Sequence, residues 1–78
     1  MKIHEFISKD EQLQYQIVWE IGKHLETLYL NDSIYLLYAV NDFFVEIRYN
    51  RRTNAIIGKE QFKDGEELDK YLGLHNPY

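Results

Sequence analysis

The run from His24 to Asn50, HLETLYL-ND-SIYLLYAV-ND-FFVEIRYN, decides the fold. Two Asn-Asp pairs, Asn31-Asp32 and Asn41-Asp42, cut it into short segments rich in Tyr, Phe, Ile, Val and Leu. Asn and Asp accept the backbone that tight turns require, and β-branched and aromatic residues suit a pleated, half-buried surface. The segments therefore read as strands over 24–30, 33–40 and 43–50. A further polar stretch, Asn50 to Asn54, leads to a fourth over 54–61. Turns at near-regular spacing predict an antiparallel meander of three to four strands, four being favoured.

The register tests this reading. With two-residue turns, Tyr38 faces Val45, Leu36 faces Ile47 and Ile34 faces Tyr49, while Leu25, Thr27 and Tyr29 join them on the same side. A slip of one residue would scatter these side chains between the two faces. The fourth strand is ambiguous, because Ile56 and Ile57 satisfy either register.

Outward from the strands lie two helical signals. Ser8-Lys9-Asp10-Glu11 has the form of a capping box opening a helix over 9–21, with Leu13, Ile17 and Ile21 at four-residue spacing and Val18 beside them. Gly22 is placed to end it in a left-handed conformation. The competing reading carries the helix on through Leu25 and Leu28 to Leu30. Asp64 and Glu67 open a second, short helix over 65–72, with Leu68, Tyr71 and Leu72 as its stripe and Gly73 at its end. The fold class is α+β: one N-terminal helix packed on an antiparallel meander, then a short C-terminal helix, in a single domain over 1–78. The first helix most simply covers the face bearing Tyr38 and Val45.

The other face mixes chemistries. It carries His24, Glu26, Leu28 and Leu30, then Tyr35, Leu37 and Ala39, then Phe44, Glu46 and Arg48. Leu28, Leu30, Tyr35, Leu37 and Phe44 together make an apolar patch larger than a soluble monomer usually leaves bare. Its cover is the second helix with its tail, a second copy of the chain, or another protein. Glu26 and Glu46 flank Leu37 at a separation on the order of 10 Å, near the wide end of the range for an inverting glycosidase. Any two acids on alternate strands give such a distance, so the charges read as the rim of an interface.

Composition narrows the remaining classes. The 78 residues leave room for one core, and the chain has no cysteine and hence no disulfide. Nine Lys and Arg against thirteen Asp and Glu give a net charge of −4, which argues against general binding to nucleic acid. The one cationic cluster, Arg48, Arg51, Arg52 and Lys59, reads as a solvated hairpin end. His4, His24 and His75 lie in separate regions, which argues against a metal site, and Ser8 and Ser33 fit a cap and a turn rather than a nucleophile. The four glycines are too scattered to cradle phosphate, so no cofactor is expected. Tyr15 and Trp19, one helical turn apart, either anchor a partner or pack on their own sheet or chain terminus, and packing is favoured for Trp19. The N-terminus lacks a secretory h-region and Ile34 to Val40 is too short to span a bilayer, so a cytoplasmic protein with no membrane association is expected.

The series Trp19-Glu20-Ile21-Gly22, Leu36-Leu37-Tyr38, Phe43 to Tyr49, Asn54-Ala55-Ile56 and Phe62 resembles a group of small uncharacterised bacterial single-domain proteins, over roughly Tyr15 to Leu72. The resemblance implies helix, antiparallel meander and helix, and it brings no activity, ligand or catalytic residue. The expected function is a noncatalytic protein-interaction module, a homodimer or the partner of another protein. Leu28, Tyr35, Leu37 and Phe44 would form its contact, with Glu26, Glu46 and Arg48 at the rim. The alternative is an acidic inhibitor, antitoxin-like or immunity-like, that neutralises a basic partner. A third reading is a small-ligand protein or enzyme using His24, Glu26, Glu46 and Arg48.

Overall fold

A computed structural model describes residues 1–63. Helices α1 (Ile3–Ile7) and α2 (Glu11–Ile21) precede strands β1 (Lys23–Leu30), β2 (Ser33–Val40), β3 (Phe43–Asn50) and β4 (Ile56–Phe62). The four strands form one antiparallel sheet in the order β1-β2-β3-β4, so the α+β class and the four-stranded meander hold. The C-terminal helix expected over 65–72 lies outside the described residues. Among the described residues no helix is long and apolar enough to cross a membrane.

Both Asn-Asp pairs form two-residue connections, with Leu30 opposite Ser33 and Val40 opposite Phe43. Asn31 and Asn41 hold φ of 55° and 54°, a left-handed region in which asparagine is several-fold enriched. Tyr38 faces Val45, Leu36 faces Ile47 and Ile34 faces Tyr49, as the alternation requires. β4 begins at Ile56 rather than at residue 54, because Asn54 takes a φ of 62° and its N–H closes the loop onto the Asn50 carbonyl. Ile56 pairs with Tyr49 and Gly58 with Arg48, so the extra residue, Ile57, is a bulge that resolves the ambiguous register.

The N-terminus differs from expectation. Residues 3–7 form α1, whose first turn is tied by the Lys2 N–H donating to Glu5 Oε1 at 2.9 Å. The residue capping α2 is Asp10, whose Oδ1 accepts from the Leu13 N–H at 2.9 Å. Ser8 instead ends α1, its hydroxyl donating to the Glu5 carbonyl. Of the stripe Leu13, Ile17, Ile21 only Ile17 packs on the core, half-buried, beside the buried Val18, while Leu13 and Ile21 are exposed and Gln14 is the other buried residue. The Gln14 Nε2 donates to the carbonyls of Phe6 at 2.9 Å and Lys9 at 3.0 Å, which turns this side of α2 toward α1. Buried carbonyls need donors, and a single amide nitrogen here satisfies two.

The helix breaks at Gly22 rather than running on to Leu30. Gly22 is not left-handed, with φ −72° and ψ 144°, so glycine is required there for another reason. Its N–H still bonds the Val18 carbonyl while the chain turns into β1, and a Cβ at this position would collide with the Val18 carbonyl oxygen.

The largest core lies on the sheet face bearing Tyr38 and Val45, here called face A. Phe6 and Val18 share one buried cluster with Val40, Phe43, Val45 and Ile47. Phe6 and Phe43 meet at 5.3 Å between ring centroids, a tilted aromatic pair. On the opposite face, face B, Leu28, Leu37 and Phe62 form a second buried cluster against Tyr35 and Phe44.

Candidate functional site

A bulge decides where the polar residues of β1 point. Glu26 pairs with Leu37 and Leu28 with Tyr35, as expected, but His24 pairs with Tyr38 because Leu25 is the extra residue. His24 therefore lies on face A, not with Glu26. Its Nε2 is 2.8 Å from Thr27 Oγ1, and its ring meets Tyr38 edge-on at 5.6 Å. The quartet His24, Glu26, Glu46 and Arg48 is split between the two faces.

The remaining face B residues do come together. Glu26, Leu37, Glu46 and Glu60 form one row across the four strands. Glu46 is 3% exposed, and its Oε2 lies 3.8 Å from Arg48 Nη2. The Arg48 guanidinium sits 4.9 Å above the Tyr35 ring, a cation–π arrangement that leaves its buried Nε without an acceptor. Glu26 is half-buried, with its Oε1 accepting from the Thr27 N–H at 3.4 Å. Leu28 and Leu37 are both only 4% exposed, and Tyr35 and Phe44 are half-buried, Phe44 stacked on Phe62 at 5.9 Å. Glu60 and Phe62 were missed at the sequence level because the register of β4 rests on its bulge.

A shallow depression of about 110 Å³ lies between β3 and β4, lined by Glu46, Arg48, Gly58 and Glu60 among others. Among the described residues no group of three or more His, Asp or Glu side chains could hold a metal ion. The four cations of the sequence cluster each take a different partner. Arg48 turns to Tyr35, Arg51 lies 5.5 Å over Tyr29, Arg52 pairs with Asp32 at 3.7 Å, and Lys59 lies 5.4 Å over Tyr15.

An apolar row with exposed ends lies on face A, at the end away from Val40 and Phe43. Tyr29, Ile34, Tyr49 and Ile56 stand opposite one another in one row, one from each strand. Tyr29 is 60% exposed and Ile56 39%, with Ile34 and Tyr49 half-buried between them. No family model, curated protein or solved structure matches this chain.

Near this row the helix also shows aromatic surface. Trp19 is 53% exposed and stacked on Tyr15 at 5.6 Å, not packed into the sheet, and the C-terminal residues offered as its other cover lie outside the described residues. The hydroxyls of Tyr15 and Tyr38 titrate above their ordinary value of 10.0, chiefly because burial disfavours the phenolate. For Tyr15 the charge of Glu11 adds to this, and for both so does Tyr49. The sequence pattern sets Tyr29, Ile34 and Tyr49 on a covered face and leaves Ile56 open. The signal that could have found it is length: a helix of 11 residues spans about 16 Å, whereas strands of eight run about 27 Å.

Proposed function

We propose that the protein is a noncatalytic interaction module that binds another protein surface through the open end of face A. The observation that carries this reading is the row Tyr29, Ile34, Tyr49, Ile56, which crosses all four strands without a charge and ends in exposed Tyr29 and Ile56. Aromatic side chains that are already held on a sheet lose little entropy on binding and supply large contact area. Arg51 above Tyr29 and the Arg52–Asp32 pair give the row a polar rim, the arrangement typical of interfaces. Relative to the contact expected from the sequence, the support moves from Leu28 and Leu37, which are buried, to this row.

The test is site-specific photocrosslinking in the native host. A benzophenone side chain replacing Tyr29 is expected to give a defined protein adduct. The same group replacing Gln12, exposed on α2, is expected to give none. Absence of any adduct from position 29 would overturn the reading.

A further inference from the structure

The two edges of the sheet are unequally protected. Exposed edge strands invite pairing with other chains, and proteins blunt them with charges, bulges, prolines and short strands. The β4 edge carries the bulge at Ile57 and the charges of Lys59 and Glu60. The first half of β1 is similarly guarded by Lys23, the bulge at Leu25 and Glu26. From Thr27 to Leu30 β1 has no charge, proline, glycine or bulge, and Tyr29 and Leu30 are exposed. Among the described residues nothing pairs with this edge.

Hairpin geometry fixes which groups face outward. Leu30 and Ser33 close a two-residue turn, and in such a hairpin the closing pair exchanges both main-chain bonds. By alternation, Leu28 and Leu30 bond to β2, while Thr27 and Tyr29 direct their N–H and C=O away from it. The Thr27 N–H accordingly bonds the Glu26 carboxylate, at a long 3.4 Å.

We propose that two copies of the chain pair antiparallel through Glu26–Leu30 of β1, about a two-fold axis at Leu28, to make a continuous eight-stranded sheet. This names the partner for the interaction reading above and rests on it. The choice of a second copy follows from self-complementarity. With the axis at Leu28, Thr27 faces Tyr29 of the second copy in both directions, and these are the residues whose main-chain groups point outward. Glu26 then meets Leu30, and no like charges are opposed. Moving the axis to Glu26 sets two carboxylates face to face. Moving it to Thr27 brings the bulged Leu25 opposite Tyr29, and moving it to Tyr29 runs Thr27 into the turn residue Asn31. The pairing also sets Tyr29 beside Thr27 of the second copy on face A, so that its row runs on into the row that Thr27 shares with Leu36 and Ile47.

Sedimentation equilibrium from about 1 to about 300 µM, the range suited to a small interface, tests this directly. The mass is expected to rise from 9.5 kDa toward twice that value, with the Thr27 and Tyr29 amides exchanging more slowly as concentration rises. Tyr29→Pro removes one outward N–H without touching the ladder to β2 and is expected to leave a monomer, whereas Ile57→Lys on the other edge is expected to dimerise as the wild type does. Should the proline variant fail to fold, Tyr29→Lys, which sets a cation beside Arg51, is expected to weaken association at least about tenfold. A mass of 9.5 kDa throughout, or a folded Tyr29 variant that dimerises unchanged, overturns the proposal. Crosslinking separates the two readings. An adduct at position 29 of twice the chain mass supports both, an adduct of another mass overturns self-pairing alone, and no adduct overturns the interaction reading.

Discussion

Gly22 is fixed by sterics at a helix end, not by a left-handed backbone. Any side chain there meets the Val18 carbonyl oxygen, which is held in place by the Gly22 N–H at 2.8 Å. Gly22→Ala is therefore expected to destabilise the fold by about 1–3 kcal/mol, read as a lower urea midpoint with an unchanged slope. The helix start offers a paired comparison. Asp10→Ala should cost about 1 kcal/mol because it removes the acceptor for the Leu13 N–H, while Ser8→Ala should cost about half of that or less. Equal losses would return the cap to Ser8. Both residues lie in the four-residue string that signals a helix start, so the sequence located the boundary within two residues. Which side chain caps depends on α1, whose five residues bury Phe6 and pack Ile3 on the core but make little more than one turn, too short a run for periodicity to announce a helix.

Among the elements, the junction of α1 and α2 hangs on a buried amide. Gln14 Nε2 reaches the carbonyls of Phe6 and Lys9, so Gln14→Leu would leave both without this donor. A cost of about 1–3 kcal/mol is expected, with faster amide exchange in α1 than in the sheet. Strands β2 and β3 were legible nearly to the residue, because two-residue turns and alternating apolar side chains each specify the same register. β1 and β4 were legible as strands but not in their bulges at Leu25 and Ile57. A bulge is set by how a strand accommodates its neighbour, and neither His24-Leu25-Glu26 nor Ile56-Ile57-Gly58 marks it in one dimension. That single inserted residue in β1 moved His24 across the sheet and dissolved the only histidine-containing polar cluster.

At the scale of the whole molecule, the ionisation of Tyr15 and Tyr38 couples the face A core to pH. Both hydroxyls titrate above 10.0, so the folded state holds its protons longer than the unfolded chain does. The corresponding stabilisation is complete below pH 10.0 and is lost as pH rises through the raised folded values. The urea midpoint is expected to fall above about pH 10, and Tyr38→Phe should flatten that decline. A variant that declines as steeply as the wild type would remove Tyr38 from the linkage.

The alternation between the turns, read from the sequence alone, determined the α+β class, the meander and the central register, because each depends on near neighbours in the chain. It also placed Tyr29, Ile34 and Tyr49 together with Tyr38 on one face. Only the tertiary structure decided which part of that face is bare, for coverage depends on where α2 ends and on which of its sides Gln14 turns inward. The same holds for face B, where Leu28 and Leu37 are buried against Phe62, a residue whose position follows from the bulge in β4. Burial is a property of elements packed across the chain, and no local pattern in the strands records it.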